Sequence, residues 1–156
     1  MALVRILVDG YSLLHQWPEL APGQPRHSAR AREALVEVLT HYQDATGTPV
    51  TIFFDGSGKA PKAIQEAGAQ PVEVLFSQAG QTADDMIERA AHRFQPYGEV
   101  LVVTDDRAER DTVSGLGGTT SSCGNFIRMI AGALDQLAED VQRYNRTEQK
   151  RYFRGR

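Results

Sequence analysis

The chain has a single cysteine, Cys123, in 156 residues, which rules out an internal disulfide framework and a cysteine-rich metal centre. It also lacks any apolar run near the roughly 20 residues that a membrane span needs. The apolar start is interrupted by Arg5, closed by Asp9 and followed by no small-residue cleavage pattern, so it reads as a first strand and not as a signal peptide. A cytoplasmic location without membrane partners is therefore expected. Positive charge is not in excess either, because 17 Lys and Arg face 20 Asp and Glu, and a formal net charge of -3 gives no overall basic footprint for nucleic acid. No nucleophile with a base and orienter stands at recognisable positions for serine or cysteine hydrolysis. The Gly-Leu-Gly-Gly stretch at 115–118 fits neither a dinucleotide nor a P-loop pattern. His15 reads as a loop or packing residue and Cys123 as a buried one.

With 41% hydrophobic and 24% charged content, the chain is long enough to bury most of its apolar surface as one domain. Its segments alternate between strand-like and helix-like. Leu3 to Val8 runs apolar, stops on Asp9 and turns on Gly10; a proline- and glycine-rich loop follows from Gln16 to about His27. Ser28 caps a helix that ends at Gly47. Val50 to Phe54 then forms a second strand, again closed by aspartate and glycine, Asp55-Gly56. A Gly-Ser-Gly-Lys loop, a short helix over Lys62 to Ala67 and a third strand over Val72 to Phe76 come next.

Thr82 caps a helix from Ala83 to about Phe94. Val100 to Val103 form a fourth strand leading into Thr104, Asp105 and Asp106, where a helix begins that ends near Gly115. A short fifth strand within 117–122 and a last helix over Asn125 to Ala138 complete the order. Such alternation specifies an α/β fold, a mostly parallel sheet with helices on both faces.

The chemistry lies in the placement of acids. Asp9, Asp55 and Asp105 each end a strand, Asp84 and Asp85 open the helix after the third strand, and Asp106 follows Asp105. In a right-handed parallel sheet all of them fall on one carboxyl-terminal edge. Each alone has a structural reading: Asp84 and Asp85 complement a helix dipole, Asp106 is an N-cap, and Asp55-Gly56 is a turn. Together they repel and raise one another's pKa, and a divalent cation relieves that repulsion. Oxygen ligands without His or Cys suit Mg²⁺ or Mn²⁺. Such a site activates water for in-line attack on a phosphodiester.

Asp9-Gly10-Tyr11-Ser12-Leu13-Leu14-His15, Phe53-Phe54-Asp55-Gly56, Thr82-Ala83-Asp84-Asp85-Met86-Ile87 and Val103-Thr104-Asp105-Asp106 resemble, in order, the motifs of the NYN branch of PIN-like ribonucleases and, within it, the bacterial YacP-like group. The resemblance covers nearly the whole chain. It implies a single three-layer α/β/α domain and a metal-dependent endoribonuclease. Asp9, Asp84 or Asp85, and Asp105 would form the core of the metal site, with Asp55 and Asp106 as supporting acids. Translated messenger RNA and the ribosome follow as implied partners. One position departs: Ser12 stands where the group carries asparagine, although a hydroxyl still donates to a phosphate or orients a carboxylate.

Substrate contacts are expected from several further residues. The run Arg26-His27-Ser28-Ala29-Arg30-Ala31-Arg32 places cations near the loop after the first motif, where a backbone could pass over the metal edge, and Arg30 is favoured because the first turn of the helix should lie closest to it; Arg110 follows the fourth motif, and Arg107 and Arg110 have surface ion pairs with Glu109 and Asp111 as their alternative. Ser122 and Asn125 open the last helix, where capping alone accounts for them. Residues 1–140 are read as the domain and 141–156 as a basic C-terminal tail, since Arg143, Arg146, Lys150, Arg151, Arg154 and Arg156 face only Glu148 there. Interleaved Tyr144, Tyr152 and Phe153 add rings that single-stranded nucleic acid can stack on. The expected activity is thus cleavage of single-stranded RNA with bound Mg²⁺ or Mn²⁺, by Asp9, Asp84, Asp85 and Asp105 with Asp106 as a further ligand. Ser12, Asp55, Arg30, Arg110, Ser122 and Asn125 serve the substrate in this reading. The alternatives are a catalytically weak RNA-binding or ribosome-associated module and a small-molecule phosphohydrolase. The last is disfavoured because Tyr11 and Ser12 occupy the place of an Asp-x-Asp nucleophile motif.

Overall fold

Apolar runs of five to seven residues ending in polar turns become the three central strands of one parallel sheet, because only strands covered on both faces tolerate such continuous hydrophobicity. The computed structural model describes residues 3–56 and 71–154. Its elements are β1 (Leu3–Asp9), α1 (Gly10–Gln16), α2 (Ala29–Thr46), β2 (Val50–Phe54), β3 (Glu73–Phe76), α3 (Ala83–Phe94), β4 (Glu99–Val103), α4 (Arg107–Gly115), β5 (Thr119–Ser121) and α5 (Cys123–Arg154). The expected loop beyond Gly56 and the expected helix at 62–67 lie outside the described residues.

The strand order is β3-β2-β1-β4-β5, all parallel. From β1 the chain winds outward first through β2 and β3 and then, on the other side, through β4 and β5, which puts a topological switch point between β1 and β4. The register aligns Asp9 with Phe53 and Val8 with Val103, so the acids that follow these strands sit level on one edge.

Alternation along β1 divides the core. Ile6 and Val8 join Leu35, Leu39, Ile52, Phe54, Phe126 and Ile130 on the α1, α2 and α5 face. Leu7 joins Phe53, Ile87, Val102 and Val113 on the α3 and α4 face. Each such fully buried aliphatic or aromatic side chain contributes about 1.5–3 kcal/mol. The three-layer α/β/α architecture expected from the sequence is the one observed.

Three local expectations need correcting. The chain does not enter a loop after Asp9 but forms α1, with Asp9 as its N-cap; seven residues are too few for helical periodicity to register. Gly10 is required by packing and not by a turn: its φ is not positive, and a Cβ there would overlap the Phe54 ring. Gly47 does take the left-handed conformation, φ 73°, and ends α2 as read. Finally, α5 does not stop at Ala138 but runs through Arg154. From Asp135 through Tyr152 its side chains are exposed, so burial leaves no periodic signal, and good helix formers with exposed Glu139–Arg143 and Glu148–Arg151 pairs carry it on. The expected basic tail is therefore largely the outer part of this helix. No helix among the described residues is long and apolar enough to cross a membrane.

Candidate active site

Asp9 sits where β1 becomes α1. Its Oδ1 accepts the Ser12 amide at 3.4 Å, and its Oδ2 accepts the Thr104 hydroxyl at 3.4 Å. Thr104 is fully buried, and its Oγ1 also accepts the Asp106 amide at 3.2 Å, so its single proton is directed at Asp9. The carboxylate of β1 is thus oriented by the residue that ends β4. Burial, then the charges of Asp84 and Asp55, push the Asp9 carboxyl up to about 6, against the Ser12 and Thr104 hydrogen bonds that favour its anion.

Asp84, in the first turn of α3, is the electrostatic centre of the edge. Burial raises its pKa, and so do Asp106, Asp55, Glu88 and Asp85 in that order. Asp55, just past β2, accepts the Ala83 amide at 2.6 Å and thereby fastens the start of α3 to the end of β2. Asp106 is the N-cap of α4 and accepts the Glu109 amide at 3.2 Å. Its capping role and its position beside Asp84 coexist, since a carboxylate has four lone-pair sites. The charges of Asp84 and Asp55 thus act on Asp9, and those of Asp106, Asp55, Glu88 and Asp85 on Asp84.

Two expected members are tied into the starts of helices. Asp85 closes a capping box with Thr82: its Oδ2 accepts the Thr82 amide at 3.1 Å, and its own amide donates to the Thr82 hydroxyl at 3.1 Å. Asp105 Oδ1 accepts the Cys123 amide at 2.8 Å and ties β4 to the start of α5. Ser12 bridges these parts, its Oγ accepting the Asp105 amide at 3.2 Å and the Cys123 thiol at 3.5 Å. Cys123 is buried, as read, and burial holds its thiol at about 12, which excludes a thiolate nucleophile.

The remaining candidates are dispersed. Arg30 is exposed on α2 and lines a groove with Pro22, Glu33 and Glu37, none of them edge acids. Arg110 lies half-buried on α4 and makes no ion pair among the described residues. Ser122 caps α5 by accepting the Asn125 amide at 3.1 Å, and Asn125 Oδ1 accepts Arg128 at 2.8 Å.

Sequence reasoning missed Glu88 and Glu109. Glu109, read as a surface ion-pair partner of Arg107 and Arg110, is instead 3% exposed, and its Oε1 has no hydrogen-bond partner. Burial and the hydrogen bond to Glu88 hold its proton on well above the usual carboxylate range, with Asp84 and Asp106 adding to the effect. The available signal was helical spacing: Glu88 is four residues after Asp84, and Glu109 three after Asp106, each on its acid's own face.

All of these donors are hard oxygens, and the burial and repulsion that raise Asp9 and Asp84 are what a divalent cation would offset, so the donor set fits Mg²⁺ or Mn²⁺. Among the described residues no three His, Cys, Asp or Glu side chains already converge at coordinating distance. A cation bound here would draw on two carboxylates at most in the present rotamers and keep several waters, the usual habit of Mg²⁺.

A family model described as the YacP-like NYN domain matches residues 6–155. The chain is 29% identical over 127 residues to the Bacillus subtilis (strain 168) protein called "Uncharacterized protein YacP", covering 80% of this chain and 74% of that one. It is also similar to the crystal structure of Rae1 (YacP) from Bacillus subtilis in a point-mutant form, with a TM-score of 0.75 and 27% identity over 90% of this chain and 82% of that chain. A second crystal structure of Rae1 (YacP) gives a TM-score of 0.70 at 27% identity, covering 92% and 81%.

Proposed function

We propose that this chain, which belongs to the YacP-like NYN domain family of PIN-like nucleases, is a metal-dependent endoribonuclease that cuts single-stranded RNA, messenger RNA in particular. The observation that carries the reading is the set of carboxylates coupled through Asp84, namely Asp9, Asp55 and Asp106, held on one sheet edge at the switch point of a doubly wound fold.

Asp9 and Asp84 would hold Mg²⁺ or Mn²⁺, with Asp55 and Asp106 beside them and Asp85 and Asp105 fixing the helix starts that carry the site. Such an ion, when bound, activates water and neutralises charge developing on phosphate and leaving oxygen. The protein's own part is orientation. Thr104 and the Ser12 amide fix the plane of the Asp9 carboxylate, and Asp55 fixes the first turn of α3 that bears Asp84. Ser12 Oγ spends its two acceptor sites on Asp105 and Cys123, which leaves its own proton for a substrate phosphate. A location in the cytoplasm, where messenger RNA and ribosomes are available, agrees with this reading.

A second reading, RNA binding without turnover, draws on the fact that no three of the described acids yet converge. One assay separates the two. A single-stranded RNA labelled at both ends is incubated with the protein and Mn²⁺, Mg²⁺ or EDTA; internal cuts that need the metal support the nuclease. Retention of intact RNA on the protein under every condition supports the binding module.

A further inference from the structure

Beside the acids, the same edge carries a row of rings. The His27 and Tyr11 ring centroids are 4.2 Å apart, those of Tyr11 and Phe54 4.9 Å, and those of Phe54 and Phe76 5.4 Å. Tyr11 comes two residues after Asp9, and Phe54 immediately precedes Asp55, so the middle of the row stands beside the acids, with Phe76 at the end of β3 on one side and His27, in the loop before α2, on the other. Phe54 is fully buried, Tyr11 and Phe76 are half-buried, and His27 at the outer end is exposed. A buried ring series that ends in an exposed ring leaves one aromatic face without a partner in the series.

Cations attend this row. Arg32 donates to the His27 carbonyl at 2.6 Å and to the Tyr11 hydroxyl at 3.4 Å, with its guanidinium carbon 5.9 Å from the Phe76 ring centre. Arg26 donates from Nε to His27 Nε2 at 3.3 Å and contacts His15. The ion pairs among the described residues involve only Arg143 and Arg151, so neither Arg26 nor Arg32 is neutralised by a carboxylate there. Two guanidiniums held by an imidazole, a carbonyl and a phenol keep their charge available to an outside anion. A phosphate backbone leaving an acid-lined edge is repelled by the acids and drawn to such a flank.

We propose that His27 and Tyr11 form a stacking platform for the base of a nucleotide neighbouring the one at the acids, and that Arg32 and Arg26 hold its phosphate. The platform favours a single-stranded segment, because a base in a duplex must first be unpaired and unstacked, at a cost in free energy, to reach it. This inference rests on the nuclease reading for the identity of the acid edge, while the platform itself is tested by binding.

Binding is measured by fluorescence anisotropy with the full chain and a labelled single-stranded RNA in Ca²⁺ and in EDTA, and cutting is measured separately in Mn²⁺. His27→Ala is expected to weaken RNA binding on the order of tenfold, the usual scale of one lost stacking contact. Arg32→Lys, which keeps the charge and loses the fork, weakens it less than Arg32→Ala, and Arg32→Ala lowers the salt slope by about 1. On RNA with a single abasic residue walked through the segment, one position is expected where His27→Ala and the parent bind equally, a readout that a merely structural role does not move. Circular dichroism establishes that each variant is folded. Platform variants that bind both RNAs like the parent, or a parent that binds no RNA, overturn the proposal. A parent that binds through the platform but never cuts removes the nuclease reading and leaves the platform standing.

Discussion

On the α3–α4 flank of the carboxyl edge, Asp55, Asp84, Glu88, Asp106 and Glu109 crowd together, and no ion pair among the described residues relieves them. On the α1–α2 flank, Arg26 and Arg32 gather around His27 and Tyr11, and neither arginine has an ion pair among the described residues. One edge of one sheet therefore separates charge, and Asp9 lies at the boundary. The difference teaches why neither flank is explained by stability: a fold that needed only stability would pair these charges across the edge, whereas the proposed site, which would hold a cation and a polyanion together, has reason to keep them apart.

The largest effect expected from breaking the acidic flank is on cutting. Asp84→Asn lowers the rate of RNA cleavage by roughly 10²–10⁴-fold, the scale of losing a group that acts on the reacting centre. Asp85→Ala, which deletes the acceptor that closes a capping box, lowers it far less and reads out instead as a loss of about 1 kcal/mol in urea unfolding. Equal losses of rate at the two positions would remove the distinction between the electrostatic centre and the cap.

Protonation tests the boundary residue. The Asp9 carboxyl is raised to about 6 from 3.8, so its ionised form opposes folding. The sign follows: the folded state binds this proton more tightly, and the stability it contributes is fully present below about pH 3.8 and lost as pH rises through about 6. In EDTA, Asp9→Asn is therefore expected to be more stable than the parent by on the order of 2 kcal/mol above pH 6, with the gap closing towards pH 4. Denaturant titrations across that range check it, and added Mn²⁺ is expected to stabilise the parent more than the variant.

Gly10 joins the flanks, because its missing Cβ admits the Phe54 ring on which Tyr11 rests. Gly10→Ala is expected to cost about 1–3 kcal/mol through overpacking. The smallest effect belongs to the outer part of α5. Truncation after Asp140 is expected to change stability by less than about 0.5 kcal/mol, since exposed surface pairs contribute little, while the salt dependence of RNA binding falls with the loss of Arg143, Arg146, Lys150 and Arg151.

The acidic flank was legible in the sequence because a parallel sheet places the ends of its strands together whatever lies between them. Asp9 and Asp55 could be assigned to one edge from strand periodicity alone, as could the Asp105-Asp106 pair. Which acid of each pair faces the others was not legible: Asp84 against Asp85, and Asp106 against Asp105, differ by one residue at a helix start, and capping geometry decides between them. Glu109 escaped because a charged residue beside arginines reads as surface, and only the packing of α4 on α3 buries it. The cationic flank was legible as the run from Arg26 to Arg32, but the arginine that reaches the site was not. Arg32 and not Arg30 reaches Tyr11, a choice made by the phase of α2, and α1, which carries Tyr11, was too short to be seen.

The most direct test of the account compares parent and Asp9→Asn under single-turnover conditions on one labelled single-stranded RNA with Mn²⁺. The account predicts internal cuts by the parent that vanish in EDTA, and a loss of at least about 10²-fold in the variant with its fold and RNA affinity retained. Cleavage by Asp9→Asn at the parent's rate would contradict it.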